Sequence, residues 1–180
     1  MIIWINGPFG VGKTSLVEGL LTRLPTAGVF DPEEVGFMVR NLLPGREKDF
    51  QDLPPWRPLV AATAVELYRY HDGRPLLVPM TLLRQDYAEE IFRAIKSQDI
   101  SLHHLVLHVS TPVLEKRIAN HELVADDIAL NEKVCKFRAS KIPHYENAYR
   151  DWLTDGEILD TTNLAPGEVV ERALEILSVF

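Results

Sequence analysis

Apolar residues along this chain fall into short continuous runs and longer stretches in which they recur every three or four positions. The short runs are typical of buried parallel strands, and the spaced stretches are typical of helices with one apolar face. The predicted strands are 2–5, 28–30, 76–80, 105–109 and 157–159. The predicted helices are 13–24, a stretch through Arg40 that breaks near Pro44 and Gly45, 59–70, 84–98, 111–119, a region to about 152 interrupted at Pro143, and a last one from Pro166.

The composition fits one globular domain, predicted to span residues 1–180, with 46% apolar and 25% charged residues. A net charge of −7 argues against nucleic acid as a partner, because binding it requires an excess of lysine and arginine. The single cysteine, Cys135, excludes an internal disulfide, so we expect a cytoplasmic protein. No transmembrane segment is expected, because the longest apolar stretch has nine residues and a span needs ~20.

Residues 7–14 read GPFGVGKT and match the Walker A pattern between a predicted strand and a predicted helix. Its glycines let backbone N–H groups point into one concavity at the positive end of a helix dipole, where phosphates bind. Lys13 is expected to neutralise the β and γ oxygens, and the Thr14 hydroxyl to bind magnesium. A glycine turn without a ligand would leave the lysine unpaired. The predicted cofactors are therefore ATP and Mg²⁺, held by Gly7, Phe9, Gly10, Val11, Gly12, Lys13, Thr14 and Ser15.

Strands that alternate with helices around this loop predict an α/β protein with helices on both faces of a parallel sheet. The expected architecture is a three-layer P-loop NTPase fold with a five-stranded parallel sheet and a kinase-like lid. The polar stretch 120–127 follows the fourth strand and has no clean period. We predict that this stretch is the lid.

Asp31 follows the second predicted strand, and the carboxyl ends of parallel strands frame the ligand crevice of such sheets. Asp31 is therefore predicted to face the phosphates. An aspartate before Pro32 is also a good helix N-cap, and the two roles are compatible. After the third strand, 79–81 reads PMT, where a motor ATPase or GTPase would carry an acidic residue. This argues against an ATPase motor.

Four cations are further candidates for ligand contacts. Arg57, which lies between prolines, is a candidate for binding an acceptor molecule, and Arg117, at the edge of the predicted lid, is a candidate for reaching the transferred phosphoryl group. Lys136 and Arg138 are weaker candidates for closing over phosphate. Each of the four has an alternative interpretation as an ordinary surface cation.

Beyond the P-loop, the chain resembles the tunicamycin-resistance proteins of bacteria, a family within the P-loop nucleoside and nucleotide kinase-like group. The matching segments are 1–7 (MIIWING), the P-loop with Phe9-Gly10, 31–33 (DPE), 36–37 with Arg40, 49–51 leading to 56–57, 78–81 (VPMT) and 103–104. The resemblance implies ATP binding and resistance to tunicamycin, a uridine-containing nucleoside antibiotic. By analogy with nucleoside kinases and antibiotic phosphotransferases, it also implies that Asp31 is a general base, Arg57 an acceptor ligand and Arg117 a charge stabiliser.

The leading hypothesis is an ATP-dependent phosphotransferase acting on a hydroxyl of a nucleoside-like antibiotic, with tunicamycin as the candidate acceptor. The rivals are a binding protein that uses ATP to close over the drug and sequester it, a kinase of an ordinary nucleoside or small metabolite, and a regulatory ATP-binding domain. Its expected partners are ATP and a small-molecule acceptor. The oligomeric state stays open, with a homodimer as one option.

Overall fold

The computed structural model describes residues 1–43, 49–120 and 127–177, and these ranges contain five strands and eight α-helices. The strands are β1 (Ile2–Asn6), β2 (Gly28–Val29), β3 (Leu76–Pro79), β4 (Leu102–His108) and β5 (Glu157–Asp160). The helices are α1 (Lys13–Arg23), α2 (Pro32–Leu42), α3 (Trp56–Tyr70), α4 (Gln85–Lys96), α5 (Thr111–Ala119), α6 (Ile128–Ser140), α7 (Ile142–Asp151) and α8 (Pro166–Leu177). Short 3-10 turns cover Phe50–Asp52 and Leu153–Asp155.

The five strands form one parallel sheet in the order β2-β3-β1-β4-β5, as the strand-helix alternation predicts. The central strand β1 pairs with β3 on one side and with β4 on the other. Every residue of β1 is fully buried, which explains why its sequence is a continuous apolar run without alternation. The α/β fold class and the five-stranded parallel sheet are therefore confirmed.

Helices cover the sheet in pairs, with α1 packed against α8 and α3 packed against α4. On α4, Phe92 meets the ring of Trp4 from β1 edge-on, with the ring centroids 5.3 Å apart. On the α1–α8 pair, the approach is so close that a Cβ added to Gly19 would lie 2.3 Å from a methyl carbon of Val170. The layered packing places the carboxyl ends of the strands, and the loops that follow them, along one edge of the molecule.

Besides shifts of one or two residues at other elements, three features differ from the sequence prediction, each for a physical reason. Helix α3 begins at Trp56 and not near 59, because Pro58 is tolerated in a first turn whose N–H groups need no helical partner. Strand β4 begins at Leu102, three residues early, because it pairs with β1 from Ile2 onward. The helical region after residue 127 is two helices that meet at Lys141, which puts the predicted interrupting proline, Pro143, in the first turn of α7.

Two predicted features cannot be compared with the structure. The predicted break near Pro44 and Gly45, and residues 121–126 of the predicted lid, lie outside the described residues. Among the helices of the described ranges, none is long and apolar enough to cross a membrane.

Candidate functional site

In the loop between β1 and α1, the need for glycine is clearest at two positions. Gly7 has φ +135°, and a Cβ added there would lie 2.6 Å from the carbonyl oxygen of Leu107. Gly12, which caps α1, has φ +104°, in the left-handed region that side chains rarely adopt. These conformations turn the chain sharply so that α1 presents its N-terminal N–H groups, and its positive dipole end, to the cleft.

Asn6 holds the start of this loop in place from beneath. Its side chain is fully buried, and its Oδ1 atom accepts from the backbone N–H of Gly7 at 2.8 Å and of Leu82 at 2.9 Å. Its Nδ2 atom donates to the Leu82 carbonyl at 2.9 Å. One amide therefore ties the P-loop to the segment that follows β3. A buried polar residue at the end of an apolar strand is the sequence signal that could have identified it.

The side chain of Lys13 folds back over the P-loop. Its Nζ atom donates to the carbonyls of Gly7 at 3.0 Å and Pro8 at 2.9 Å, and to Oγ1 of Thr81 at 2.7 Å. Burial lowers the pKa of Lys13 to about 7; nearby Glu33 acts in the opposite direction, and Arg138 lowers the pKa further. An ammonium surrounded by neutral oxygens in a poorly solvated place is short of negative charge, as expected for a lysine that receives an anion.

A cleft of about 500 Å³ opens above this lysine and brings together most of the residues predicted from sequence. It is lined by Phe9, Gly10, Gly12, Lys13, Thr14, Ser15, Asp31, Glu33, Pro79, Met80, Thr81, Arg117, Asn120 and Arg138. The side chains of Thr14 and Ser15 are exposed to it at the first turn of α1. The site therefore combines a helix N-terminus, cations, hydroxyls and two carboxylates.

Two carboxylates, those of Asp31 and Glu33, lie at the start of α2 and line this cleft. Asp31 caps the helix, because its Oδ1 atom accepts from the backbone N–H of Glu33 at 2.9 Å. The predicted N-cap role is thus confirmed, and the Asp31 side chain also lines the cleft, which leaves its catalytic role a prediction. Glu33 was not singled out from the sequence. Burial raises its pKa, and the neighbouring Asp31 raises it further.

Arg117 lies between this cleft and a second cavity on the other side of the P-loop. Its guanidinium donates to the carbonyls of Val11 at 3.3 Å and Thr161 at 3.0 Å, and to the Thr161 hydroxyl at 3.2 Å. The second cavity measures about 330 Å³ and has more apolar walls, formed by the P-loop together with Leu16, Arg117, Thr161, Leu164, Pro166 and Val169. Arg117 is therefore fixed against the P-loop by three hydrogen bonds.

The predicted acceptor ligand Arg57 lies away from the cleft above Lys13. Its Nε atom pairs with Oε2 of Glu90 at 2.5 Å, and its NH1 group donates to the carbonyl of Gln51 at 2.8 Å. Its guanidinium also stacks on the ring of Tyr87, 4.2 Å from the ring centroid. In the described part of the chain, Arg57 is not among the residues lining the cleft above Lys13. The structure therefore does not bring it together with Asp31, and its contact with an acceptor stays a prediction.

The two weaker candidates for closing over phosphate, Lys136 and Arg138, differ in whether they reach the cleft. Arg138 lines the cleft from α6, and its charge is felt by both Lys13 and Glu33. Lys136 is exposed and pairs with Glu132 along the same helix at 3.7 Å. Helical spacing explains the difference, because residues two positions apart lie on different faces of a helix.

Comparison with known proteins agrees with this geometry. A family model described as an AAA domain matches residues 2–139. A comparison with curated protein sequences gives no match. The fold and the P-loop thus define a nucleotide-binding protein of the P-loop, kinase-like class.

Among solved structures, the tunicamycin resistance protein of Deinococcus radiodurans is 30% identical, covers 99% of this chain and 96% of its own, and superposes with a TM-score of 0.76. The chain belongs to the tunicamycin-resistance protein family, within the AAA-domain group whose model it matches. A gluconokinase from Sinorhizobium meliloti 1021 is 16% identical, covering 98% of this chain and 90% of its own with a TM-score of 0.63. A shikimate kinase from Bacteroides thetaiotaomicron, also 16% identical, covers 99% of each chain with a TM-score of 0.63. These two similarities concern the fold.

Proposed function

We propose that this protein is an ATP-dependent phosphotransferase that phosphorylates a hydroxyl of a nucleoside-like antibiotic. One observation carries the proposal: the Lys13 ammonium on the P-loop and the carboxylates of Asp31 and Glu33 face one another across a single cleft. Binding a triphosphate requires only the lysine and the loop. Carboxylates on the opposite wall serve a reaction in which a hydroxyl loses its proton.

In this proposal the nucleotide spans the two cavities that flank the P-loop. The triphosphate lies along the loop, with its oxygens on the α1 N–H groups and on Lys13. The nucleobase occupies the second cavity, where the guanidinium of Arg117 offers a planar face and Leu164 and Pro166 supply apolar contact. In this arrangement Arg117 orients the base, and its predicted action on the transferred phosphoryl group is a second, separable role.

The residues on the cleft also fit magnesium. The Thr14 hydroxyl is a hard oxygen donor, and Mg²⁺ is usually held by few protein ligands together with phosphate oxygens and water. When bound, the ion neutralises the charge on the β and γ phosphates. Thr14 would hold it directly, at the first turn of α1.

The transfer itself is a displacement at the γ phosphorus. The acceptor oxygen forms a bond to the γ phosphorus while the bond from that phosphorus to the β–γ bridging oxygen breaks, and ADP departs with the bonding electrons. The proton of the acceptor hydroxyl passes to a carboxylate, for which Asp31 is the first candidate and Glu33, with its raised pKa, the second. Lys13 and Arg138 stabilise the charge on the transferred group.

Tunicamycin is the acceptor that the family relationship favours, since the relative from Deinococcus radiodurans is described as a tunicamycin resistance protein. A uridine-containing molecule offers several hydroxyls to such a site. An ordinary nucleoside or small metabolite offers the same chemistry, and a panel of acceptors distinguishes these sources.

The experiment is to incubate the protein with ATP, Mg²⁺ and tunicamycin or individual nucleosides, and to look by mass spectrometry for a product heavier by one phosphoryl group. Lys13→Ala serves as the inactive control, and Lys96→Ala, at the far end of α4, as the matched control that should behave like wild type. If tunicamycin binds tightly only with ATP and its mass does not change, the protein sequesters the drug and the transferase proposal is wrong.

A further inference from the structure

A third cavity adjoins the cleft above Lys13 on the side away from the nucleobase cavity. It measures about 290 Å³, close to the lower size of small-molecule sites. We name it the acceptor recess and define it by Phe9, Gln51, Asp52, Arg84, Tyr87 and Phe137, which form much of its wall. It shares Phe9 and Thr81 with the cleft, so a molecule seated in it can point a hydroxyl toward the γ phosphate.

The two guanidiniums near the recess, of Arg84 and Arg57, are each paired with a carboxylate of α4. Arg84 donates to both carboxylate oxygens of Asp86, at 3.1 and 2.6 Å. Arg57, behind the wall, is ion-paired with Glu90 at 2.5 Å, and its side chain is only 13% exposed. An acceptor carboxylate would have to displace Asp86 or Glu90 to obtain the bidentate pairing that arginine normally gives.

The ring of Tyr87 lies between these two arginines and fixes them. The Arg57 and Arg84 guanidiniums lie 4.2 and 4.0 Å from its centroid. The Tyr87 hydroxyl donates to Oδ1 of Asp52 at 2.8 Å, so the side chains are held as one unit. A new ligand would have to break these contacts to recruit either arginine.

The remaining polar groups of the recess suit hydroxyls. Asp49 accepts from the backbone of Gln51 with Oδ1, Asp52 accepts from Tyr87 with Oδ1, and both residues line the recess. Lys141 and Arg84 supply two positive charges, and Asp49, Asp52 and the Asp86 that pairs with Arg84 supply three negative ones. The described part of the recess is therefore net negative and disfavours an anion.

The rings of Phe9 and Phe137 complete the site. Their centroids are 5.8 Å apart, and both rings line the recess. Aromatic faces bind the apolar face of a sugar or a planar base at small cost in side-chain entropy. Carboxylates for hydroxyls and rings for a flat face are the features of a site for a neutral, hydroxylated molecule.

We infer that the acceptor recess binds an uncharged, hydroxylated ring of the acceptor, and that Glu90 sets this specificity by neutralising Arg57 behind the recess wall. The inference rests on the proposed function, because it takes the neighbouring cleft as the site of the γ phosphate. Glu90 is a positioning residue, since it acts on the ligand through Arg57.

The test is calorimetry on the full chain with Mg²⁺ and a non-hydrolysable ATP analogue. The probes are two matched pairs, uridine with orotidine and glucose with glucuronate, which differ in a carboxylate. We expect the neutral member of a pair to bind at least about tenfold more tightly than the acid. Glu90→Gln keeps the side-chain size but frees the Arg57 charge, so this preference should shrink about tenfold. Glu89→Gln, on the same helix and paired with Gln85 on the surface, is the control that should keep it.

An acid that binds as tightly as its neutral partner to the wild type overturns the inference, and so does binding by no probe. An unchanged preference in a folded Glu90→Gln protein overturns the role of Glu90. If the neutral preference is present but mass spectrometry finds no phosphorylated product with any acceptor, the recess assignment stands and the transferase proposal fails.

Discussion

The Oγ1 atom of Thr81 lies 2.7 Å from the Nζ atom of Lys13, in the segment at the end of β3 where a motor ATPase or GTPase carries an acidic residue. The same hydroxyl donates to the Gly7 carbonyl at 2.9 Å, so it receives the lysine hydrogen bond on a lone pair. Thr81 is itself 6% exposed. A neutral hydroxyl thus positions the lysine without neutralising its charge.

This relationship predicts that Thr81→Val weakens ATP binding. Valine has the same shape but cannot accept from Lys13, and a hydrogen bond to a charged group contributes ~1.5 kcal/mol or more, so the Kd for ATP should rise about tenfold. Thr81→Ser keeps the hydroxyl and should bind ATP like wild type. Calorimetry with ATP and Mg²⁺ measures both, and equal affinities for the valine and serine variants would show that the contact is incidental.

The lowered pKa of Lys13 predicts that ATP affinity falls as the pH rises above 7. In the nucleotide-free protein, burial holds this pKa at about 7, so the lysine is largely neutral at higher pH. Bound phosphates favour the ammonium and raise the pKa, so binding must take up a proton at pH 7.5–9. The affinity should therefore drop by up to about tenfold per pH unit in this window, because one pKa unit corresponds to a factor of ten.

Calorimetry in buffers of different ionisation enthalpy measures the proton uptake directly. Lys13→Arg provides the matched control, because a guanidinium stays charged across this range. The Lys13→Arg protein should bind ATP more weakly than the wild type, and its ATP affinity should not change with pH. A wild-type affinity that is equally flat from pH 7.5 to 9 would mean that Lys13 is already fully charged before ATP arrives.

Much of the fold could be predicted from the sequence because its signals are local and agree with one another. The continuous apolar run of β1, the glycines of the loop and the spaced apolar residues of α1 each predict one step of a strand-loop-helix unit. One boundary that differs depends on a longer-range contact. The early start of β4 depends on pairing with Ile2, which no local pattern of β4 records.

The site was most predictable where a motif fixes spacing, although Asp31, Arg117 and Arg138, predicted without such a motif, also line the cleft. The P-loop places Lys13 and Thr14 from sequence alone, whereas Glu33 and Thr81 reach the same cleft from separate elements. Arg57 shows the opposite case. Its position between prolines makes it a candidate, but its partner Glu90 lies 33 residues further along the chain, beyond β3, so the ion pair could not be inferred from the sequence.

Gly7 offers a test of the loop conformation. In Gly7→Ala the new Cβ would meet the Leu107 carbonyl oxygen at 2.6 Å with φ at +135°. A strained backbone of this kind costs ~1–3 kcal/mol, so the free energy of unfolding should fall by at least that amount and ATP binding should be lost. Gly167→Ala, in the first turn of α8 with open space around it, should leave stability equal or slightly higher. Chemical denaturation measures both, and a stable, ATP-binding Gly7→Ala protein would contradict the assigned loop geometry.

The last prediction assigns the general base between the two carboxylates of α2. Asp31→Asn removes the charge but keeps an oxygen for the Glu33 N–H, and asparagine is as good an N-cap as aspartate, so stability should change by well under ~1 kcal/mol. If Asp31 accepts the proton, ATP binding survives while transfer falls by roughly 10²–10⁴-fold. Glu33→Gln should then keep transfer within about tenfold of wild type, because its backbone N–H still completes the cap.

Single-turnover transfer measured by mass spectrometry, beside ATP affinity by calorimetry, separates the two residues. Glu34→Gln, an exposed neighbour in the same helical turn that does not line the cleft, controls for the loss of one negative charge near the α2 N-terminus. A large loss in Glu33→Gln with Asp31→Asn near wild type would make Glu33 the base and leave Asp31 as the cap that aims it. Full transfer by both variants would mean that neither carboxylate takes the proton. The cleft would then act through Lys13 and Arg138 alone, by stabilising charge on a phosphoryl group whose acceptor loses its proton to solvent.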